Sequence, residues 1–370
     1  MILERDAENR LLKALKSDKI IILFGARQVG KTTLIKKILR SIPNNLYLSC
    51  DEPDVREALE NKTSTEMKAF FKGAGTIAID EAQRVKNIGI SLKLLHDTFP
   101  ELTIIATGSS SFDLANSTAE PLTGRNITIT LYPASYREFT NAAGGLEASR
   151  SLSERILYGM YPAIINAQNP ENDIKSLARD YLFKDILQID TIRRPVVLEK
   201  LTQLLAWQTG QLVSYNEIAQ KLQISRLTVM SYVRMLEQAF ILFRVSPLGN
   251  NPRSEVTRFE KIYFFDTGIR NALIGDFSFL ENRYDKGALF ENFFIAERLK
   301  VYQAEGRDVK QYFWRTKDGS EIDLVEREGN ALKAFECKWN DTKLFTRAWT
   351  NAYPEVSVTL INKSVIFEYL

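Results

Sequence analysis

The feature that most constrains the fold is an apolar segment that runs directly into a glycine-containing loop. Five consecutive apolar residues, 20–24, precede the sequence Gly-Ala-Arg-Gln-Val-Gly-Lys-Thr-Thr at 25–33. Such a short apolar run is typical of a strand buried on both faces. Beyond the loop, apolar residues recur at helical spacing within 34–39. A strand, a glycine loop and a helix in this order predict a phosphate-binding loop, because glycines let successive backbone N–H groups turn toward phosphate oxygens.

This predicted loop sets the expected nucleotide contacts. We expect Lys31 to reach the outer phosphates and the Thr32 hydroxyl to coordinate Mg²⁺. The expected cofactors are therefore ATP and Mg²⁺. The residues predicted to contact the nucleotide are Gly25, Ala26, Arg27, Gln28, Val29, Gly30, Lys31, Thr32 and Thr33.

A second apolar strand, 76–79, ends in the acidic pair Asp80-Glu81. Strands of a parallel sheet deliver their carboxyl ends to one edge, so this pair is expected beside the phosphate-binding loop. We assign Asp80 to Mg²⁺, through its water shell, and Glu81 to the polarisation of the water that attacks the γ-phosphate. A strand that merely ends in acidic residues is the alternative, and the upstream loop makes it the weaker one.

A third apolar strand, 102–106, leads into Thr107-Gly-Ser-Ser110 at the same predicted edge. A hydroxyl there could sense the γ-phosphate. We place this role on Ser109, with Thr107 second, and a plain Ser/Gly loop is the alternative.

Arg125 immediately precedes a further alternating segment, 126–131. An arginine ahead of a late strand could complete the ATP site of a neighbouring subunit, where it would stabilise the charge that develops during phosphoryl transfer. This assignment predicts a homo-oligomer. The alternative is a surface arginine in a turn.

These motifs together resemble the bacterial and archaeal AAA+ ATPases that carry a carboxy-terminal domain of unknown function. The resemblance implies ATP hydrolysis, a helical lid, a winged-helix module and a nuclease-like tail. The segments that carry it are Phe24–Thr33, Asp80–Gln83, Thr107–Ser109, Gly124–Arg125, Leu131–Phe139, Gly159–Pro162 and Tyr181–Ile186.

The middle of the chain is predicted to be helical and locally basic. Residues 191–258 contain nine Lys and Arg against four Asp and Glu, a net charge of +5. Within it, 214–240 resembles a helix-turn-helix whose last helix, capped by Ser225, would place residues in a DNA groove. DNA, in a branched or single-stranded form, is therefore the expected partner, and a helical bundle that mediates subunit contacts is the alternative. The expected DNA-facing residues are Arg226, Thr228, Ser231 and Arg234.

The carboxy-terminal third contains a hairpin whose register can be worked out. Two alternating segments, 320–326 and 332–339, flank Gly329-Asn330, a favoured two-residue loop. Opposed residues must then have numbers that sum to 659, which places Asp323 opposite Glu336 and Glu321 opposite Lys338. Opposed side chains have Cβ atoms roughly 4.5–5.5 Å apart, so Asp323 and Glu336 could share one divalent cation.

This arrangement is similar to the core of PD-(D/E)XK nucleases. Asp323 and Glu336 would hold the metal, Lys338 would orient or deprotonate the attacking water, and Glu291 on an upstream helix could complete the site. Two alternatives stay open. The acids could be solvated beside a Glu321–Lys338 salt bridge, or the nuclease fold could serve only to dock nucleic acid.

We therefore expect an α/β protein with an AAA+ P-loop parallel-sheet domain (1–140), a helical lid (141–192), a winged-helix-like middle (193–250) and a restriction-endonuclease-like α/β domain (251–370). No apolar stretch approaches the roughly 18 residues of a membrane span, and the polar first residues do not resemble a signal peptide. We expect a cytoplasmic protein without a membrane partner. Two functions compete: an ATP-dependent DNA remodelling or DNA-cleaving enzyme, and a non-cleaving ATP switch whose tail binds nucleic acid or protein.

Overall fold

The structure, a computed structural model, describes residues 1–108, 122–180, 194–249, 259–340, 344 and 346–370. Ser109 and the segment 181–186, both singled out above, lie outside these ranges. The chain divides into two compact units. The first comprises residues 2–134 with 238–240, and the second comprises Met1, 135–237 and 241–370. The bounds of the four predicted domains stay predictions.

The first unit is built on a parallel five-stranded sheet, which confirms the predicted α/β fold class. The two strands that precede the proposed nucleotide residues, β1 and β3, are buried along their whole length, as their apolar sequences require. The strand order is β2-β3-β4-β1-β5, and every pairing is parallel. The strands are β1 (Ile20–Phe24), β2 (Asn45–Ser49), β3 (Thr76–Asp80), β4 (Thr103–Gly108) and β5 (Asn126–Thr130).

The first helix of this unit precedes β1, and the other helices that the structure describes connect successive strands. In the helix that follows the glycine loop, Leu34, Ile35, Ile38 and Leu39 are buried while Lys36 and Lys37 are exposed, as the spacing predicts. The helices are α1 (Ala7–Ala14), α2 (Lys31–Leu39), α3 (Pro53–Leu59), α4 (Ser64–Phe70) and α5 (Ile88–Thr98).

The second unit contains a mixed seven-stranded sheet of order β12-β11-β10-β9-β7-β8-β6. The pairs β7–β9 and β11–β12 are parallel, and the other pairs are antiparallel. The strands are β6 (Leu212–Val213), β7 (Leu242–Pro247), β8 (Glu260–Phe264), β9 (Val309–Arg315), β10 (Glu321–Glu328), β11 (Ala331–Cys337) and β12 (Val358–Ile361).

In the chain, helices come before the first strand of this sheet and between its strands. In space, helices cover the sheet. Among the residues that the structure describes, no helix is both long and apolar enough to cross a bilayer. The helices are α6 (Tyr136–Ala143), α7 (Gly145–Tyr158), α8 (Pro162–Ile165), α9 (Pro170–Asp180), α10 (Pro195–Trp207), α11 (Tyr215–Leu222), α12 (Arg226–Gln238), α13 (Thr267–Ile274), α14 (Lys286–Glu305) and α15 (Arg347–Ala352).

A buried ion-pair network fixes the segment between α13 and α14. The Asp285 carboxylate accepts from Arg270 at 2.6 Å and from Arg283 at 2.8 Å, and all three side chains are buried. Burial alone would raise the pKa of Asp285, but the two guanidinium groups hold it below its usual value. Breaking such a network leaves a buried charge unpaired, so it is expected to be sensitive to substitution.

Candidate functional site

The backbone of the glycine loop requires glycine at both ends. A Cβ on Gly25 would lie 2.1 Å from the carbonyl oxygen of Leu131, so the backbones approach too closely for any other residue. Gly30 has φ +96° and forms the N-cap of α2. The loop therefore leads directly to a helix amino terminus, where unpaired N–H groups and the helix dipole favour a bound anion.

Lys31 lies inside this loop. Its Nζ donates to the carbonyl oxygens of Gly25 at 2.9 Å and Ala26 at 2.7 Å, and the side chain is buried. Arg5, which the sequence reasoning missed, donates to the carbonyl oxygens of Val29 and Tyr132. Nothing in the polar amino-terminal segment distinguishes Arg5 from a surface residue, because both contacts are long-range.

Asp80 brings three hydroxyl groups together at the end of β3. Its Oδ2 accepts from Thr32 Oγ1 at 2.7 Å and from the Tyr47 hydroxyl at 2.5 Å, and its Oδ1 accepts from Thr107 Oγ1. The predicted Mg²⁺ residues, Thr32 and Asp80, are thus in direct contact. Carboxylate and hydroxyl oxygens are the hard donors that Mg²⁺ prefers, so this donor set fits the ion.

Tyr47 is a site residue that the sequence did not reveal. It lies on β2, the edge strand that pairs with β3 through Tyr47 and Ala78. Burial and the hydrogen bond to Asp80 raise the pKa of Tyr47, so its hydroxyl stays a donor. Only the strand pairing, which a single sequence does not give, places it there.

Thr107 joins the two acidic residues. Besides its bond to Asp80, its Oγ1 accepts from the backbone N–H of Glu81 at 3.0 Å, and the side chain is fully buried. Glu81 has a left-handed φ of +53°, and its Oε2 accepts from Gln83 Nε2 at 2.5 Å. Of the two candidate γ-phosphate sensors, Thr107, the second choice, is the one within the described residues, and it bonds to both Asp80 and the backbone of Glu81.

Arg125 lies where the strands of the sheet begin, at the opposite end of the strands from the glycine loop. It immediately precedes β5, which runs parallel to β1 with Ile20 opposite Asn126. Five residues of strand span about 16 Å, so within one chain Arg125 is distant from the loop that follows β1. Its Nε pairs with Asp97 Oδ1 at 2.8 Å and lowers the pKa of that carboxyl, at a partly exposed position. The predicted contact of Arg125 with a nucleotide would therefore require the loop of another subunit.

The predicted hairpin register is confirmed in the second unit. Strands β10 and β11 pair from Leu324 opposite Phe335 to Glu328 opposite Ala331, and each pair sums to 659. Asp323 Oδ2 accepts from the backbone N–H of Cys337 at 2.8 Å. The two carboxylates are therefore placed on adjacent strands, as the sequence predicts.

The side chains around this hairpin pair differently from the predicted alternative. Lys338 Nζ contacts Glu336 at 2.7 Å, whereas Glu321 pairs with Arg315 at 2.8 Å and with Lys261 at 2.5 Å. The proposed Glu321–Lys338 bridge is thus replaced by other ion pairs. The reason is that β8 and β9, whose positions the hairpin sequence cannot specify, supply cations closer to Glu321.

Lys261 is the unanticipated member of this cluster. Its side chain is 2% exposed, and its Nζ also lies 3.1 Å from Glu291 Oε1, to which the Tyr263 hydroxyl donates as well. Burial raises the pKa of Glu291 to about 7 despite the neighbouring lysine. Burial likewise raises the pKa values of Asp323 and Glu336.

Within the described residues, the predicted metal ligands Asp323 and Glu336 have no third His, Cys, Asp or Glu side chain arranged to share a metal ion with them. Across the described ranges, no group of three or more His, Cys, Asp or Glu side chains is arranged to hold a metal ion. Glu291 does reach the cluster, as expected, but its contacts are to Lys261 and Tyr263. The carboxylate cluster therefore does not fit a metal bound by three acidic side chains.

Comparison with known proteins supports the assignment of the first unit. Residues 17–140 match the family model described as an AAA domain. Residues 149–279 and 286–364 match models described as domains of unknown function, DUF8612 and DUF4143. The description of the family model matched by the carboxy-terminal region names no activity, so the expected nuclease-like function stays a prediction.

Two curated relatives and one solved structure are similar over most of the chain. An uncharacterized protein of Mycobacterium tuberculosis is 28% identical over 368 residues, which cover 97% of this chain and 79% of that protein. An uncharacterized protein of Haemophilus influenzae is 25% identical, covering 90% of this chain and 85% of that protein. A Walker-type ATPase of Pyrococcus abyssi matches with a TM-score of 0.50 and 16% identity, over 74% of this chain and 96% of that chain. This chain is an α/β protein with the fold of a Walker-type ATPase, and its residues 17–140 are similar to AAA domains.

Proposed function

We propose that this protein is a Mg²⁺-dependent ATPase that uses ATP hydrolysis to remodel DNA. The observation that carries the ATPase assignment is the contact between Thr32 and Asp80 beside a buried Lys31, with Glu81 tied to the same group through Thr107. These are the residues that a phosphate-binding loop and its acidic strand must bring together for phosphoryl transfer.

Each residue has a defined task in this proposal. Lys31 and the N–H groups at the start of α2 bind the β- and γ-phosphates. Thr32 and Asp80 would hold a Mg²⁺ ion, which would supply positive charge to neutralise the phosphates. Glu81 orients the attacking water and accepts its proton, and Gln83 fixes the Glu81 carboxylate in one position.

Nucleotide binding can be tested by comparing two lysines of the same helix. Lys31→Ala removes the buried ammonium and should abolish ATP binding or turnover. Lys37→Ala removes an exposed ammonium of α2, paired only with Glu8 among the described residues, and should leave both unchanged. Equal loss in the two variants, or none in either, would count against a nucleotide site in this loop.

The ATP site is proposed to require a neighbouring subunit. Arg125 lies at the opposite end of the strands from its own glycine loop, which leaves another chain's loop as its target. Arg125→Ala should therefore lose turnover yet retain ATP affinity. Mixing it with Lys31→Ala should restore part of the activity, because mixed assemblies contain sites with an intact loop and an intact arginine. An absence of rescue would support the surface-residue alternative.

DNA is proposed to bind the helix-turn-helix formed by α11 and α12. The order α10, β6, α11, α12, β7, β8, with β8 paired to both other strands, supports a winged-helix assignment. Ser225 accepts from Thr228 N at 3.0 Å and so caps α12 as expected, although Thr228 Oγ1 also bonds to Ser225. Arg226, Ser231 and Arg234 are exposed on α12 and could contact DNA.

The DNA assignment predicts DNA-stimulated ATP turnover. Combining Arg226→Ala with Arg234→Ala should reduce this stimulation and weaken DNA binding most at low salt, because phosphate contacts release counterions. Lys200→Ala, which removes one exposed cation from α10, is the matched control. Unchanged stimulation in the arginine variant would exclude α12 as the DNA-binding helix.

DNA cleavage is the second candidate function. The adjacency of Asp323, Glu336 and Lys338 on one hairpin favours it. Plasmid and forked DNA incubated with Mg²⁺ or Mn²⁺ should be cut by the intact protein but not by Asp323→Ala or Lys338→Ala if this function is present. If neither the intact protein nor the variants cut the DNA, the remaining proposal is DNA remodelling without cleavage.

A further inference from the structure

The carboxylate cluster already contains a buried cation, the ammonium of Lys261. This lysine lies on β8, and its side chain is 2% exposed. Its Nζ also lies 5.6 Å from the centre of the Phe313 ring. Burying an ammonium group costs free energy unless acidic groups accept its hydrogen bonds. The acids around Lys261 therefore explain how this side chain can be buried.

Two of these acids accept from the Lys261 ammonium and from a second protein donor. Glu321 Oε1 accepts from Lys261 at 2.5 Å, and Glu321 Oε2 accepts from Arg315 at 2.8 Å. Glu291 Oε1 accepts from Lys261 at 3.1 Å and also from the Tyr263 hydroxyl. Mg²⁺ would need oxygens at about 2.0–2.1 Å in octahedral geometry, and the two oxygens bonded to the Lys261 ammonium cannot bind Mg²⁺ at the same time.

The other two acids are also engaged. Asp323 Oδ2 accepts from the backbone N–H of Cys337 at 2.8 Å, and Glu336 Oε1 contacts Lys338 at 2.7 Å. Glu336 Oε2 is buried and has no hydrogen-bond partner among the described residues. Counted by side chain, three cations (Lys261, Arg315 and Lys338) face four carboxylates (Glu291, Glu321, Asp323 and Glu336), so the cluster approaches charge balance by protein groups alone.

We propose that the Lys261 ammonium is a permanent, protein-supplied cation of this cluster that takes the place of a divalent metal. Removing it should then convert the cluster into a metal site. This assignment concerns only the acids of the second unit, so it is independent of ATP turnover. It is incompatible with the metal-dependent cleavage named above as the second candidate function.

The test is Mn²⁺ binding to the full-length, nucleotide-free protein, followed by electron paramagnetic resonance of the free ion. Asp80→Asn is present in every sample, so that the acid of the first unit does not contribute. The Lys261→Met chain should bind one Mn²⁺ about 100-fold more tightly than the chain that retains Lys261, because a buried unit charge near the acids is gone. Adding Asp323→Asn should abolish this binding.

Matched variants make each outcome decisive. Lys310→Met removes an exposed lysine of β9 and should leave Mn²⁺ affinity unchanged. Tight binding of Mn²⁺ by the chain that retains Lys261, lost on Asp323→Asn, would overturn the proposal whether or not Lys261→Met folds. A folded Lys261→Met chain that binds no more Mn²⁺ than the Lys310→Met control would overturn it as well. If Lys261→Met does not fold, Lys261→Gln removes the charge but keeps a donor, and it should show the same gain.

Discussion

Thr107→Val is the substitution that most sharply probes how the two acidic residues are held. Valine nearly matches the shape of threonine but lacks the hydroxyl, so the change removes two hydrogen bonds and little volume. One bond runs to the Asp80 carboxylate, and the other is accepted from the backbone N–H of Glu81 at 3.0 Å. Because Thr107 is fully buried, water cannot replace either partner.

The expected loss follows from these two bonds. A hydrogen bond to a charged group contributes about 1.5–3 kcal/mol, and one to a backbone amide contributes about 0.5–1.5 kcal/mol. The free energy of unfolding should therefore fall by roughly 2–4.5 kcal/mol. Glu81 also loses its fixed backbone position, and each 1.4 kcal/mol of lost transition-state stabilisation slows turnover about tenfold, so kcat should fall about 10–100-fold.

Urea unfolding and steady-state phosphate release measure these two effects. Thr107→Ser keeps the hydroxyl and should retain most of the activity. Thr103→Val, at the start of the same strand, controls for the loss of a threonine from β4. A Thr107→Val protein with the stability and kcat of the parent would refute the assignment of Thr107 as the link between the acids.

Three further predictions concern packing and ionisation. Gly25→Ala forces a backbone clash, so it should lower the free energy of unfolding by about 1–3 kcal/mol or more and should also abolish ATP binding. Gly145→Ala, which has open space around its Cβ, should change neither. Asp285→Asn should cost about 3–5 kcal/mol at pH 7 by calorimetry. Because the pKa of Asp285 is lowered in the folded protein, its contribution to the free energy of unfolding is present above about pH 4 and is lost as the pH falls. A parent chain whose stability is no more sensitive to acid than that of Asp285→Asn would contradict this. Burial raises the pKa of Cys50 to about 12 and also raises the pKa of Cys337. Neither thiol should therefore react with a disulfide reagent at pH 8 before the protein unfolds, and a prompt reaction would disprove their burial.

Local sequence signals predicted much of the fold and part of the candidate site. The apolar run of β1, the glycine loop and the spacing within α2 are contiguous, and each appears as expected. The register of β10 and β11 was also predictable, since a two-residue loop fixes every pair that follows it.

The missed residues share a different origin. Tyr47 contacts an acid 33 residues away and Lys261 contacts one 30 residues away, and Arg5 bonds to carbonyl groups 24 and 127 residues away. Their side chains carry no local pattern that separates them from ordinary strand or surface residues. Strand order and helix packing decide such contacts, and one sequence without relatives does not specify them.

The most direct test of the central claim, ATP hydrolysis at the glycine loop, is a paired measurement on Glu81→Gln. ATP affinity and phosphate release are determined for the parent and this variant with Mg²⁺ present. We expect the parent to bind and hydrolyse ATP. Glu81→Gln should bind ATP with similar affinity but turn it over at least about 100-fold more slowly, because the amide cannot accept the proton of the attacking water. Undiminished turnover by Glu81→Gln, or a parent chain that neither binds nor hydrolyses ATP, would contradict it.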